Sequence, residues 1–116
     1  MDKVSQHFTR KEFACRCGCG FDTVDIELLQ VLEGIRGYLD SPVYISSACR
    51  CISHNHKVGG KPKSKHRLGI AADISVRGVE PLDVQLYLLS KYLDKYGIGS
   101  YDSFTHIDVR ASKARW

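Results

Sequence analysis

No run of apolar residues in this chain approaches the roughly 20 that a membrane-crossing helix needs, so no membrane partner is expected. The opening residues, Met1-Asp2-Lys3-Val4-Ser5-Gln6-His7, lack the apolar core of a secretory signal peptide. The expectation is therefore a protein synthesised without a signal peptide and soluble as made, with any export using another route. Low-complexity tracts and long blocks of one charge are also missing, which argues against a disordered tail. The net charge of +4 is mild and fits either plain solubility or attraction to an anionic partner such as nucleic acid or a cell-wall polymer. Basic side chains do gather at Lys57, Lys61, Lys63, Lys65 and Arg67. No base-stacking motif accompanies them, so a nucleic-acid partner is not expected.

What is present is enough for one compact domain over residues 1–116, with a monomer as the simplest state. A chain of this size buries roughly 65% of its unfolded surface. With 43% hydrophobic and 26% charged residues it has the composition of an ordinary globular protein. Five cysteines are many for that length. Cys15, Cys17 and Cys19 alternate with Arg16 and Gly18, and Cys49 and Cys51 flank Arg50. Structural zinc sites usually space their cysteines two to four residues apart, which a one-residue gap suits poorly. Three states stay open: a structural metal, a disulfide between the N-terminal loop and the 49–51 segment, or reduced thiols.

Phe8–Phe13 reads as a short helical turn with Thr9 and Glu12 in capping-box spacing, and the Cys/Gly run at 15–20 as loop. From Thr23 to Leu39, apolar residues recur at three-four spacing, predicting an amphipathic helix stopped by Ser41-Pro42. Val43–Ser47 is β-branched and aromatic and predicts a strand. Cys51–Arg67 is polar and basic and reads as one long surface loop, of a length more often functional than idle. Ile70–Val76 predicts a second strand, with Ala71, Asp73 and Ser75 on one face. Pro81 opens a second helix whose stripe runs Leu82, Leu86, Leu89, Leu93 and Tyr96, with Gly97 ending it. A hairpin follows: Ile98–Tyr101, a turn at Asp102-Ser103, then Phe104–Arg110 with Phe104, His106 and Asp108 on one face. Two main helices on a small, mostly antiparallel sheet make an α+β fold.

Chemistry concentrates in Ser64-Lys65-His66-Arg67-Leu68-Gly69-Ile70-Ala71-Ala72-Asp73. A carboxylate inside an apolar strand costs several kcal/mol unless a cation or hydrogen-bond donors meet it. A catalytic zinc ion takes three imidazole or carboxylate ligands and keeps one position open. His66, Asp73 and His106 offer that set. Singly, each residue also has a plain structural role: a hydrogen-bonded strand histidine, or an Asp73 paired with Arg50. His54 and His56 read as exposed loop histidines, with substrate contact or a substitute ligand role as the alternative.

Ser-x-His-x-x-Gly-x-Ala-x-Asp, formed by Ser64, His66, Gly69, Ala71 and Asp73, resembles the hallmark of the M15-type zinc D,D-peptidases. His106-x-Asp108 with the terminal Arg115-Trp116 is similar to the small cell-wall branch of that group. Arg50, Asn55, Gly59-Gly60 and Phe13-x-Cys15-x-Cys17-Gly18-Cys19 fit as well, so the resemblance spans essentially the whole chain. It implies a fold related to the hedgehog signalling domain and one catalytic zinc ion on His66, Asp73 and His106. It also implies hydrolysis of peptide bonds in peptidoglycan stem or cross-link peptides. With no signal peptide in view, a phage lysin or tail-associated enzyme acting at the bacterial cell wall is expected.

The same resemblance implies that Arg50 grips a substrate carboxylate bidentately, and that Ser64 either hydrogen-bonds substrate or caps its turn. Several relatives carry a Glu three residues before the second histidine, where this chain has Ser103. Asp108 is the first candidate for the general base in its place, with a role orienting a ligand as the alternative; Asp102 is the second. Without a base, the same fold serves as a non-catalytic peptidoglycan- or protein-binding module.

Overall fold

The computed structural model describes residues 2–116. A 3-10 turn at Arg10–Phe13 starts from the expected Thr9/Glu12 capping box. Helix α1 spans Ile26–Leu39 and begins where Asp25 accepts the Leu28 N–H at 2.9 Å. The apolar spacing points to a start at Thr23; the Asp25 cap sets it later. Leu28, Leu29, Val31, Leu32 and Ile35 are its buried face, and Asp40 ends it in the left-handed conformation (φ 50°).

Strand β1 is Val43–Ser47 and β2 is Ala71–Val76. Between them the expected long loop is in fact partly helical: α2 covers Ile52–Lys57 and a 3-10 turn covers Lys65–Leu68. Of α2 only Asn55 is buried, so no apolar period marks it. Its start is capped by Cys51, whose Sγ accepts the His54 N–H.

Helix α3 runs Pro81–Lys91, with Pro81 in the first turn as expected. Its predicted stripe is corrected in part: Leu82, Leu86 and Leu93 are exposed and Val84, Gln85 and Leu88 are buried, while Tyr96 is in the core and Leu89 packs against it. Gln85 explains the rotation. Its amide donates to the carbonyls of Tyr101 (3.0 Å) and Phe104 (3.3 Å) and to Thr105 Oγ1 (3.2 Å), satisfying the hairpin turn from beneath. The helix also stops short of Gly97. Tyr96, at φ 70°, swings the chain into strand β3, Gly97–Ser100.

Strand β4 is Thr105–Asp108, and β5, Ala114–Arg115, is too short to leave a pattern in the sequence. The sheet order is β1-β2-β4-β3-β5, antiparallel except for the parallel β3–β5 pair. The architecture is α+β, with a mostly antiparallel sheet. Ala72, Ile74, Val76, Ile98 and Ile107 join the buried residues of α1 and α3, with Phe8 and Phe13, in one core. The alternation that sends Ala72 and Ile107 into this core sends Asp73, His106 and Asp108 to the other face.

Candidate metal centre

Asp73 on β2 and His106 on β4 are direct cross-strand partners, so their side chains stand side by side on one face. His66 reaches the same spot from the 3-10 turn, which packs against β2. Asp73 Oδ1 lies 3.2 Å from His66 Nε2 and 3.0 Å from His106 Nδ1. All three residues are buried. A tetrahedral ion with bonds of about 2.0–2.2 Å sets its donors roughly 3.3–3.6 Å apart, so the three atoms are close enough to share one.

Hydrogen bonding on the far side of each ring decides what these atoms present. The Ala48 carbonyl can only accept, so His66 Nδ1, 2.7 Å away, carries the hydrogen and donates. His106 Nε2 likewise donates to Asp108 Oδ2 at 2.8 Å. Neutral rings then direct two bare lone pairs at a carboxylate oxygen. Three electron-rich atoms converging out of water are favourable only around a cation. A proton can serve: burial pushes the His106 imidazole pKa down, but the Asp108 and Asp73 carboxylates outweigh it and raise it. Burial likewise pushes the Asp73 carboxyl up, and with protons rather than a metal on the facing nitrogens, hydrogen bonds from His106 and His66 bring it well below the usual carboxylate range. Two imidazole nitrogens and a carboxylate oxygen also form the donor set of catalytic zinc sites. The residues fit a zinc ion.

Arg50 locks the other carboxylate oxygen. Its guanidinium donates to Asp73 Oδ2 (3.1 Å), to Ser47 Oγ (3.0 Å) and to Asn55 Oδ1 (3.3 Å). Asn55 in turn donates to the Lys61 carbonyl at 2.8 Å, tying α2 and the following loop to the arginine. The side chain thus orients Asp73, and the residue also lines the cleft. Ser64 caps the turn that carries His66, its Oγ accepting the His66 N–H at 3.2 Å, and also lines the cleft. His56 is exposed and His54 half-buried on α2, and neither belongs to the converging group.

The two candidate proton acceptors do not face the cleft. Asp108 is fully buried, and its carboxylate accepts from Arg110 Nε (2.8 Å), Arg110 Nη2 (2.7 Å), the Arg110 backbone (3.1 Å) and His106. Burial would push this carboxyl up, but Arg110 and His106 hold it well below the usual range. The geometry is that of a group orienting a metal-ligating histidine. Asp102 sits exposed at the hairpin turn.

Around the three ligands opens a cleft of about 830 Å³ with two characters. Lys61, Lys63, Lys65, Arg50 and Arg110 make it cationic, and among the described residues that line it Asp73 is the only carboxylate. Tyr101, Phe104 and Trp116 form an aromatic wall: Tyr101 stacks on Phe104 at 4.3 Å, and the Trp116 ring lies 5.0 Å from that of His106. The aromatic wall and the Ala48 acceptor were not legible beforehand, because stacking partners and a backbone carbonyl leave no spacing signal; the Arg50–Asp73 pair is one of the roles read from the sequence.

Gly97 is the close approach that makes room for the Asp108–Arg110 pair. A Cβ there would lie 2.6 Å from Arg110 Nε and from Asp108 Oδ1. Gly97→Ala is expected to cost about 1–3 kcal/mol through overpacking and to loosen metal binding by displacing the His106 partner. Thermal unfolding with and without zinc measures both effects; a wild-type zinc affinity in the variant would sever Asp108 from the site.

The family model for Peptidase M15 matches residues 6–108, a span that holds all three converging ligands. None of the curated proteins matches the chain.

Proposed function

The chain belongs to the peptidase M15 family, and from that premise we propose that it is a zinc-dependent peptidase acting on bacterial cell-wall peptides. The observation that carries this reading is the pair of imidazole lone pairs fixed on Asp73 Oδ1 by the Ala48 and Asp108 acceptors. Zinc bound there supplies Lewis acidity, polarising a carbonyl and making water acidic enough to attack near neutral pH.

The chain's own residues supply the rest. His66, Asp73 and His106 would hold the ion. Arg50 keeps Asp73 turned toward the imidazoles, and its uncommitted N–H groups are available to a substrate carboxylate. The lysine-rich rim favours an anionic peptide, as a stem peptide with free carboxylates is. Tyr101, Phe104 and Trp116 offer a flat surface against which the peptide can lie while water is excluded. Ser64 steadies the His66 turn and offers its hydroxyl proton to substrate. Asp108 acts through His106 as a positioning residue. Such a substrate puts the site of action at the bacterial cell wall.

A second reading, a peptidoglycan- or protein-binding module on the same frame, draws support from one feature: the cleft holds no carboxylate besides Asp73 to take a proton, among the described residues. Digestion of purified peptidoglycan separates the two. New amino termini found by mass spectrometry, lost in His66→Gln, are expected for the peptidase; retention on peptidoglycan with no new ends would establish the binder. Defined muropeptides with and without a C-terminal D-Ala then distinguish carboxypeptidase from endopeptidase action.

A further inference from the structure

Outside the three converging residues of the cleft, the cysteines that the proposed reaction does not use also converge. Cys15, Cys17, Cys19 and Cys51 bring their Sγ atoms within 4.8 Å of one another. The Cys15–Cys17 separation is 3.4 Å and the Cys17–Cys51 separation 3.6 Å. Four sulfurs at about 2.3 Å from a common tetrahedral ion stand roughly 3.8 Å apart, close to this spacing. The separations are far from the roughly 2.05 Å of a bonded sulfur pair. All five cysteines are free thiols, and the fifth, Cys49, is buried apart from the cluster and donates to the Thr23 carbonyl at 3.2 Å.

The backbone is built around the cluster. The Gly18 N–H donates to the Cys15 carbonyl at 3.1 Å and the Cys15 N–H to the Phe21 carbonyl at 2.8 Å, closing the loop on itself. Gly18 at φ 81° and Gly20 at φ 96° supply the left-handed turns that bring three alternate cysteines together, Cys15 buried and Cys17 and Cys19 exposed. Arg16, between the first two, points its guanidinium at the Glu12, Ala14 and Ile45 carbonyls, anchoring the loop to β1. Two backbone N–H groups aim at sulfur: Cys51 toward Cys15 Sγ at 3.5 Å and His54 toward Cys51 Sγ at 3.4 Å. Such donors stabilise thiolate charge. The one-residue cysteine spacing, awkward for a metal knuckle on paper, is thus accommodated by the curled loop and a fourth sulfur from α2.

We propose that Cys15, Cys17, Cys19 and Cys51 bind a second, structural zinc ion as a tetrathiolate. Soft thiolates in tetrahedral array select zinc among the common divalent ions of oxygen- and nitrogen-rich sites. Binding exchanges the four thiol protons for the ion, releasing them to solvent. The ion clamps the N-terminal loop to the residue that follows Arg50, bracing the arginine that orients Asp73.

The test uses the full chain purified under reducing conditions. Two zinc ions per chain are expected, falling to one in Cys17→Ser and to one in His66→Gln; the zinc that His66→Gln retains and Cys17→Ser loses is the readout of this proposal, whichever way the peptidase reading turns out. Cobalt substitution of His66→Gln is expected to give intense thiolate-to-cobalt charge-transfer bands, absent from Cys17→Ser. The same bands in the otherwise unaltered chain provide the readout should Cys17→Ser fail to fold. A single zinc that disappears with His66→Gln, rapid modification of the clustered thiols in native metal-loaded protein, a disulfide among the four by mass spectrometry, or iron bound in zinc's place would each overturn the proposal.

Discussion

Asp73→Asn is expected to remove zinc from the cleft and to reduce peptide hydrolysis by several orders of magnitude. The side chain is a hub: Oδ1 meets both imidazoles and Oδ2 takes the Arg50 guanidinium. An amide of the same shape loses the negative charge that balances a dication. Turned one way it presents N–H groups to the two lone pairs, turned the other it presents them to Arg50. Metal Lewis acidity contributes several kcal/mol to transition-state stabilisation, each 1.4 kcal/mol being about tenfold in rate. Zinc content by elemental analysis and initial rates on a muropeptide measure the two effects. Full zinc occupancy together with wild-type turnover would remove Asp73 from the centre and with it the proposed chemistry.

Asp108→Asn comes next in size. Arg110 and His106 would face an amide able to accept from one while offering hydrogens to the other, at a fully buried position. Breaking a buried charge pair from one side costs about 3–5 kcal/mol, and losing the partner of a ligating histidine costs roughly 10–100-fold in metal affinity. A positioning role and a base role diverge here. For positioning, zinc affinity and rate fall together and added zinc restores part of the rate. A proton acceptor would leave zinc binding intact and strip kcat alone; that split, in a folded variant, would reinstate Asp108 as the base.

The comparison between sequence and structure has a physical pattern. The convergence of His66, Asp73 and His106 was legible because each is a polar residue set into an apolar or strand context, where only a bound cation or hydrogen bonds explain it. The face shared by His106 and Asp108 followed from strand alternation. Alternation says nothing of depth, however, and Asp108 lies under Gly97 and Arg110 rather than at the cleft. Helix α1 was legible because its stripe and its burial agree. In α3 they part, since leucines occupy exposed positions while a glutamine is drawn inside by the hairpin's carbonyls. Helix α2 is nearly all polar, and β5 exists only through pairing with β3 far along the chain. Neither leaves a local signature.

The β2–β4 register carries a consequence for assembly. Asp73 faces His106 across the pair, with Ala72 opposite Ile107 and Ala71 opposite Asp108. A slip of one residue would set an isoleucine beside the carboxylate and turn both histidine and aspartate toward the apolar layer, since every side chain on the shifted strand changes sides. A metal bound by this group would therefore favour one alignment over its neighbours. Zinc added during refolding should act as a proofreader of strand pairing, raising the yield of correctly aligned molecules by more than its effect on the finished fold alone accounts for.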